Sequence, residues 1–249
     1  MVREIRDELP VIGGIKLHYM LKPGLKAHHL SIGRDSLFSL LRANNMLIKP
    51  KRRYARTTNS NHLFKKWPDL VKRRPAIIPE EIWASDITYL RSKNGFYYLD
   101  LITDAYSRKI VGYNLSHNLK AIGCLKALQM ATNSRLYPFR PLIHHSDRGI
   151  QYCCDAYVKA LENNKLAISM TQDGCPYDNA IAERLNGILK AEMGLYDTFD
   201  SFKSASEKVE AAVRKYNQIR PHLSNDMETP MYRHAAVDRN SKKYFNDDV

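Results

Sequence analysis

The sequence predicts an α/β domain built on a mixed five-stranded sheet, preceded by a small all-helical module. Two observations support this prediction. From residue 82 onward, β-rich runs and helical patterns alternate, as they do in layered α/β folds. Residues 1–80 instead contain 17 Lys or Arg against 6 Asp or Glu, so the rest of the 249-residue chain contributes only +2 to the net charge of +13. A basic front end therefore precedes a nearly neutral domain, which indicates a polyanionic partner.

Three β-rich runs open the domain: WASDITYL, NGFYYLDLITDAYS and RKIVGYNL. Short turn signals separate them, which predicts an antiparallel meander. The elements that follow are predicted as a helix at 120–132, a strand at 140–147, a helix at 151–164, a strand at 166–170 and a helix at 178–193. This order is that of a ribonuclease-H-like fold, a mixed sheet covered by helices, in which the first and fourth strands lie side by side.

Three acidic residues lie on the predicted strands and helices of that fold. Asp86 lies in the first strand and Asp147 ends the fourth, so the fold would bring them together from positions 61 apart. Glu183 lies on the last helix of the set. Three carboxylates delivered from two strands and a helix can hold two divalent metals for phosphoryl transfer. Acid pairs occur by chance in most chains, so their contexts, IHHSDRG and DNAIAERLNGILK, must support the assignment.

The helix that carries Glu183 is predicted to present two faces, with Asp178 as its N-cap. The polar face is formed by Asn179, Glu183, Asn186 and Lys190. A neighbouring apolar face is formed by Ile181, Leu185 and Ile188. Such polar rows are more often simply solvated. Here the row contains the acid that would complete a metal site, which favours a functional face.

Residues 1–54 are predicted to form a basic module resembling a helix-turn-helix. Two short helical patterns place the apolar residues Ile15, Leu17, Leu21, Leu37, Leu40 and Leu41 in helical register. The opposite face of the second pattern carries Arg34, Ser36, Ser39 and Arg42. Local pattern alone fits an ordinary helical hairpin equally well. KPKRRYAR at 49–56, with Lys51, Arg52 and Arg53, favours DNA binding.

The remaining boundaries follow from composition. Residues 55–80 are predicted as an extended basic linker, 81–195 as the catalytic core and 196–249 as a C-terminal helix and arm, with the last ten residues disordered. The segment YNQIRPH contains Arg220 and His222, which either contact DNA or fix the arm. Asp104 is expected to hold the turn before Ser107.

Two further patterns concern histidine and cysteine. His144 and His145 are adjacent in a strand, so they point to opposite faces and at most one faces the acids. The four cysteines lack a CxxC spacing, which favours a reduced cytoplasmic setting over a disulfide framework. Zinc ligation by these cysteines with the histidines has no recognised spacing to support it.

No apolar run has membrane-spanning length and no signal peptide is recognised, so a soluble intracellular protein is expected.

Several stretches together resemble a known family. WASDITYL, DAYSRKIVGY, HHSDRGIQY, DGCPYDNAIAERLNGILKAE, and YNQIRPH followed by Thr229 and Pro230 span most of residues 83–230. They are similar to the DDE transposases of bacterial insertion sequences, within the retroviral-integrase-like superfamily. More narrowly, they resemble the downstream product of the group encoded in two overlapping reading frames.

The resemblance implies that Asp86, Asp147 and Glu183 bind two Mg²⁺ ions, with Mn²⁺ as a substitute, and that Lys190 contacts the transposon end. It implies cleavage and strand transfer at the insertion-sequence ends through a circular intermediate. The expected partners are terminal-repeat and target DNA, further copies of the chain on that DNA, and an upstream-frame product, in the bacterial cytoplasm and at the nucleoid when bound. A DNA-binding regulator without catalysis and a ribonuclease-H-type nuclease are the alternatives. The regulator would not need all three acids in these contexts, and the nuclease would not need the basic front end or YNQIRPH.

Overall fold

A computed structural model of the chain describes residues 1–48, 64–72, 74–172 and 180–236. Its centre is a five-stranded sheet in the order β3-β2-β1-β4-β5. The strands are β1 (Ile82–Ser92), β2 (Gly95–Asp104), β3 (Ile110–Ser116), β4 (Ile143–Ser146) and β5 (Ala167–Met170). The predicted mixed five-stranded α/β fold is thus confirmed, including the meander of the first three strands.

The pairing of the strands sets the geometry of the sheet. β1 pairs antiparallel with β2, and β2 with β3. β1 and β4 run parallel, as do β4 and β5. In the β1–β4 pair, Ile82 lies opposite Ile143 and Ala84 opposite His145, a constant offset of 61 positions.

Eight α-helices are described in these ranges: α1 (Val2–Glu8), α2 (Gly14–Ala27), α3 (Arg34–Ala43), α4 (Ala121–Asn133), α5 (Ile150–Cys153), α6 (Asp155–Asn163), α7 (Ala180–Glu192) and α8 (Phe202–Gln218). A 3₁₀ turn, Leu223–Asn225, follows them. Helices α4, α5 and α6 cover one face of the sheet around buried Trp83 and Tyr157. Helices α7 and α8 cover the other face over Leu99 and Leu101. No helix in the described ranges is long and apolar enough to cross a membrane.

The single helix predicted over 151–164 is wrong, because the structure contains two helices there. Cys154 has an extended backbone conformation, with φ −72° and ψ 148°, and separates α5 from α6. Its carbonyl accepts hydrogen bonds from the backbone N–H groups of Tyr157 and Val158. Cys154 is therefore the N-cap residue of α6 rather than a residue within a continuous helix.

The N-terminal segment contains three helices rather than the two predicted. Leu17, Leu21, Leu37 and Leu41 are buried as expected, whereas Ile15 and Leu40 are exposed. The buried leucines join the same apolar cluster as α7 and α8. Ion pairs reinforce this contact, from Lys16 to Glu192 and from Lys215 to Glu8. The helices thus pack on the sheet domain, and their helix-turn-helix role stays a prediction.

The described part of the predicted linker runs along the outer strand β5. The backbone N–H of Met170 donates to the carbonyl of Pro68 at 3.3 Å. The N–H of Leu70 donates to the hydroxyl of Ser169 at 2.8 Å. These contacts supply partners to the outer edge of the sheet.

A buried polar group, here termed the latch cluster, ties the C-terminal arm to the sheet. It consists of Glu80, Asp104, Ser107, Arg135 and His234. Asp104 accepts hydrogen bonds from the N–H and hydroxyl of Ser107, which confirms its expected role in that turn. The imidazole of His234 lies 3.6 Å from both acids. Arg135 donates to Glu80 at 3.0 Å.

The charges of the latch cluster are matched. Burial alone would raise the pKa of Glu80, but His234 and the surrounding N–H and guanidinium donors outweigh burial and lower that pKa to about 2. Burial would lower the pKa of His234, but Asp104 and Glu80 together raise it. Each buried charge therefore has an opposite charge or a donor beside it.

Candidate catalytic site

The pairing of β1 with β4 brings two predicted acids together. Asp86 lies two residues beyond Ala84 in β1, and Asp147 lies two residues beyond His145, just after β4 ends. Residues two apart in a strand share a face. Because Ala84 and His145 lie opposite each other, the two carboxylates are delivered to the same place on the sheet face that α7 covers.

The turn after β4 fixes Asp147. The backbone N–H of Gly149 donates to Asp147 Oδ1 at 2.9 Å. A Cβ atom at position 149 would lie 3.0 Å from that same oxygen. Glycine therefore leaves room for the carboxylate, which gives a physical reason for the DRG sequence.

A hydrogen bond from α7 fixes Asp86. Asn186 Nδ2 donates to Asp86 Oδ2 at 2.6 Å. Asn186 was expected to contact DNA, and its shared face with Glu183 indicated a polar surface but not this partner. Its carbonyl oxygen is buried without a hydrogen-bond partner among the described residues. Sequence reasoning thus found the residue but missed that it positions an acid.

The electrostatics of the site show that the acids act on one another. Burial raises the pKa of Asp86 to about 7, and the charges of Asp147 and, less strongly, Glu183 contribute. The N–H of Ile87 and the charge of Lys190 act in the opposite direction. Burial lowers the pKa of Lys190, while Asp86 opposes that change. Burial and the neighbouring negative charges therefore both disfavour the ionised form of Asp86.

Glu183, the third predicted acid, lies in the first turn of α7, where its side chain is exposed. Throughout the described ranges, no set of three or more His, Cys, Asp or Glu side chains is arranged closely enough to hold a metal ion. The structure thus pairs Asp86 with Asp147 and brings Glu183 within electrostatic range. The donor set fits a hard divalent cation, which takes carboxylate oxygens. The mutual repulsion of the acids is the strain that such a cation would relieve.

The two histidines of β4 lie on opposite faces, as strand alternation predicts. His144 faces away from the acids, with Ser85 Oγ at 2.7 Å and Tyr157 Oη at 3.0 Å from its Nε2. Burial, with a smaller effect of His145, lowers the pKa of His144 to about 3. His145 lies on the acid face and hydrogen-bonds Ser169 at 2.8 Å. His144 is therefore a neutral core residue.

Arg220 fixes the C-terminal arm. Its guanidinium is buried and donates two hydrogen bonds to Glu192 at the end of α7, at 2.8 and 2.7 Å. His222 hydrogen-bonds Ser224 at 2.9 Å. Burial, with the charge of Arg220 next in effect, lowers the pKa of His222 to about 3. Of the two roles left open for Arg220, the structure shows the anchoring one.

The candidate DNA-binding residues are distributed over separate parts of the chain. Arg34 and Arg42 are exposed on α3, with Arg34 paired to Asp35 at 2.9 Å. Lys190 is half-buried beside Asp86. The others lie outside the described residues: Lys51, Arg52, Arg53 and Asn179, together with the predicted N-cap Asp178 and the last ten residues, which were predicted as disordered.

Strand order, helical layers and acid placement define a ribonuclease-H-like α/β protein. Two models of the integrase core domain match the chain, one over residues 77–176 and the other over 164–230. The insertion element IS600 uncharacterized 31 kDa protein of Shigella sonnei is 35% identical over 81% of this chain and 75% of its own length. The chain belongs to the bacterial insertion-sequence transposases of the integrase superfamily.

Another relative is the transposase InsF for insertion sequence IS3A of Escherichia coli K12, 43% identical over 46% of this chain and 39% of its own. Among solved structures, a chain of the simian T-cell lymphotropic virus intasome in complex with PP2A regulatory subunit B56 gamma matches with TM-score 0.55. It is 19% identical, over 89% of this chain and 74% of that one. The HTLV-2 integrase catalytic core domain in complex with magnesium matches with TM-score 0.51 and 18% identity, over 64% of this chain and 99% of its own. The structural likeness supports the fold, and the family gives the chain a transposase function.

Proposed function

We propose that Asp86, Asp147 and Glu183 form the metal-binding catalytic site of a DDE transposase that cleaves and joins DNA at insertion-sequence ends. The observation that carries this proposal is the parallel register of β1 and β4, which delivers Asp86 and Asp147 to one place. Helix α7 adds Glu183, whose charge acts on Asp86. Two Mg²⁺ ions, replaceable by Mn²⁺, are the proposed cofactors, and HTLV-2 integrase, a structural neighbour, contains magnesium.

Each acid has a distinct setting for this role. Asp86 is oriented by Asn186, and Asp147 by the N–H of Gly149. Glu183 is exposed on the surface of α7, so it can approach the pair through a side-chain movement. Bound divalent ions would supply activation of the attacking oxygen and stabilisation of the leaving 3′ oxygen.

The proposed chemistry has two steps on one site. With water as nucleophile, a new P–O bond forms, the P–O3′ bond breaks, and the products are a 3′-hydroxyl and a 5′-phosphate. In the second step that 3′-hydroxyl is the nucleophile and attacks a phosphate at the joining site. A new P–O3′ bond forms there, and the 3′ oxygen previously bound to that phosphate leaves. The carboxylates are ligands rather than nucleophiles, so no covalent protein–DNA intermediate forms. Joining near the other end would give the circular intermediate.

DNA binding is proposed to combine the basic N-terminal part with the face of α7. Arg34 and Arg42 supply exposed charge on α3, and Lys51, Arg52 and Arg53 add the densest basic run. Lys190, half-buried beside Asp86, adds a positive charge next to the acids, and Asn179, outside the described residues, is a further proposed contact. The proposed partners are terminal-repeat DNA, target DNA, further copies of the chain on that DNA and an upstream-frame product. The proposed place of action is the bacterial cytoplasm, at the nucleoid.

Replacing one acid tests the catalytic assignment. Asp147→Asn should lower Mg²⁺-dependent cleavage of a terminal-repeat duplex by about a thousandfold, because metal-held charge stabilisation is worth several kcal/mol. Affinity for the same duplex should stay within about threefold of wild type, since the backbone phosphates are held elsewhere. Gel-resolved cleavage and fluorescence anisotropy measure the two quantities.

Glu162→Gln provides the matched control, because Glu162 is an exposed acid on α6, on the other face of the sheet. It should cleave and bind like wild type. If Asp147→Asn lost cleavage and binding in equal proportion, or retained cleavage, the catalytic role of the acids would be rejected.

A further inference from the structure

Residues 64–70, here termed the edge segment, run antiparallel to the outer strand β5. Pro68 is hydrogen-bonded to the backbone of Met170, the last residue of β5. Leu70, two residues later, is hydrogen-bonded to Ser169, one residue earlier in the strand. The direction of the edge segment is therefore opposite to that of β5. The residues before Pro68 extend past the carboxyl end of that strand.

Asp147 lies at that same end of the sheet. Met170 lies opposite Ser146 in the β4–β5 pair, and Asp147 follows Ser146 directly. Lys66 belongs to the part of the edge segment that extends past β5, so it reaches the level of Asp147. Burial raises the pKa of the Cys153 thiol to about 11, Asp147 adds to this rise, and Lys66 opposes it. The acid and the lysine thus act on the same thiol, as neighbours across the end of β5 would.

Lys66 is an exposed cation that the fold holds in place. Trp67, the next residue, packs against the core cluster on the face of the sheet that α4, α5 and α6 cover. Lys65 is held 4.2 Å over the ring of Trp67. Lys66 has no such contact, and in the part of the chain that the structure describes no carboxylate forms an ion pair with it. A cation on an anchored backbone loses less conformational freedom when it binds an anion.

The edge segment and Lys190 lie on opposite sides of the acids. Lys190 lies on α7, which packs against β1 and β2. The strand order β3-β2-β1-β4-β5 places β4 and then β5 on the other side of Asp86. Because neighbouring strands are roughly 4.8 Å apart, the edge segment lies two spacings, roughly 10 Å, from β4. A duplex that contacts Lys190 and passes over the acids would therefore reach Lys66 roughly three base pairs further on, at 3.4 Å each.

We propose that Lys66 binds a backbone phosphate of the duplex DNA that continues past the cleavage site, on the side away from Lys190. The inference rests on the proposed cleavage at insertion-sequence ends, in which Lys190 contacts the transposon side and Lys66 the flanking side of one substrate. The ammonium group is a point charge, so this contact fixes the position of the DNA without reading its bases.

The test compares two duplexes, one that ends at the cleavage site and one that continues into flanking DNA. Both are bound by the full chain without divalent ions. Lys66→Gln should weaken binding of the longer duplex about fivefold at about 0.15 M salt, which is the contribution of one phosphate contact relative to 1 M salt. Its plot of log affinity against log salt should become shallower by about 0.9. Binding of the shorter duplex should stay within about twofold of wild type. Fluorescence anisotropy measures all three quantities.

A neutral methylphosphonate, placed at one flanking position at a time, locates the contact. With wild type, binding should weaken most when the neutral group lies roughly three base pairs beyond the cleavage site. With Lys66→Gln the same replacement should cause no further loss, because the charge that would pair with the phosphate is already absent.

Lys126→Gln is the matched control. Lys126 is also an exposed lysine, but it lies on α4, on the other face of the sheet. This variant should bind both duplexes as wild type does. Lys66→Arg keeps the charge and should restore binding of the longer duplex. Thermal unfolding checks that the variants are folded.

Two outcomes would overturn the flanking contact. Equal weakening of both duplexes by Lys66→Gln would place Lys66 on the terminal repeat instead. Unchanged binding of both duplexes would show that Lys66 contacts no DNA. Neither readout requires cleavage. Failure of the acid assignment would instead appear as retained cleavage by Asp147→Asn, with the difference between the two duplexes intact.

Discussion

The latch cluster and the pair Asp86 and Asp147 are two groups of buried or half-buried carboxylates beside the same sheet, and the chain stabilises their charges to different extents. Glu80 accepts hydrogen bonds from Arg135 and from two backbone N–H groups, beside His234, and its pKa falls to about 2. Burial raises the pKa of Asp86 to about 7, and its neighbouring carboxylates add to that rise. The first carboxylate is stabilised as an anion by its surroundings, and the second is not.

This difference distinguishes a carboxylate that stabilises the fold from one that is available to a ligand, without reference to relatives. A carboxylate whose donors are all supplied by the chain stabilises the fold and has little left for a ligand. A carboxylate held beside others lacks part of its stabilisation until a cation arrives. The comparison therefore predicts opposite responses of the two sites to the same kinds of change.

The largest expected effect is on stability, when each acid is replaced by its amide. Glu80→Gln should lower the free energy of unfolding by roughly 3 kcal/mol, because it leaves Arg135 buried without its counter-charge and His234 with Asp104 alone. Asp86→Asn should raise it by roughly 1 kcal/mol without divalent ions, since it removes repulsion at a partly solvated site. Urea unfolding at pH 7.5 in EDTA measures both. Equal destabilisation would remove the distinction between the two groups.

A slightly smaller effect is expected from magnesium. At a concentration about 100 times the dissociation constant, Mg²⁺ should raise the free energy of unfolding by about 2.7 kcal/mol, since it binds only the folded state. Asp86→Asn should abolish this increase, whereas Glu80→Gln and the surface control Glu162→Gln should retain it. Thermal unfolding with and without Mg²⁺ gives the comparison. An unchanged response in Asp86→Asn would place the cation elsewhere.

The parts of the site that sequence reasoning predicted are those set by local pattern and strand order. The order of elements placed β1 beside β4, which was enough to pair Asp86 with Asp147 across 61 positions. Helical spacing put Asn186 on the face of Glu183. Alternation along β4 separated His144 from His145.

The contacts that were missed join residues far apart in sequence, whose partners no local pattern specifies. Asn186 donates to a residue 100 positions earlier, and Arg220 to one 28 positions earlier. The break at Cys154 was missed because residues on both sides have helical patterns. The burial of the N-terminal leucines against α7 and α8 was missed because an amphipathic helix does not reveal which surface it covers. The exposed Leu40 shows the same ambiguity.

The smallest expected effect is the pH dependence of the stability that the latch cluster contributes. The contribution of Glu80 and that of the His234 imidazole change with pH in opposite directions. The pKa of Glu80 is lowered, so its contribution is present above about 4.5 and is lost as pH falls towards 2. The pKa of His234 is raised, so its contribution is complete below about 6.5 and is lost as pH rises through the folded-state value. Asp104 and Glu80 favour the charged imidazole, and Lys109 opposes them. The arm should therefore be held more tightly at pH 6 than at pH 8.5.

His234→Gln measures this contribution. The difference in unfolding free energy between wild type and variant should be larger at pH 6 than at pH 8.5 by roughly 1 kcal/mol. Amide exchange in residues 229–236 should be faster in wild type at the higher pH after correction for the intrinsic rate. His222→Gln is the control, because the pKa of His222 is lowered to about 3 and its imidazole is neutral at both pH values. A pH-independent difference for His234→Gln would show that its imidazole acts in the latch through neutral hydrogen bonding alone.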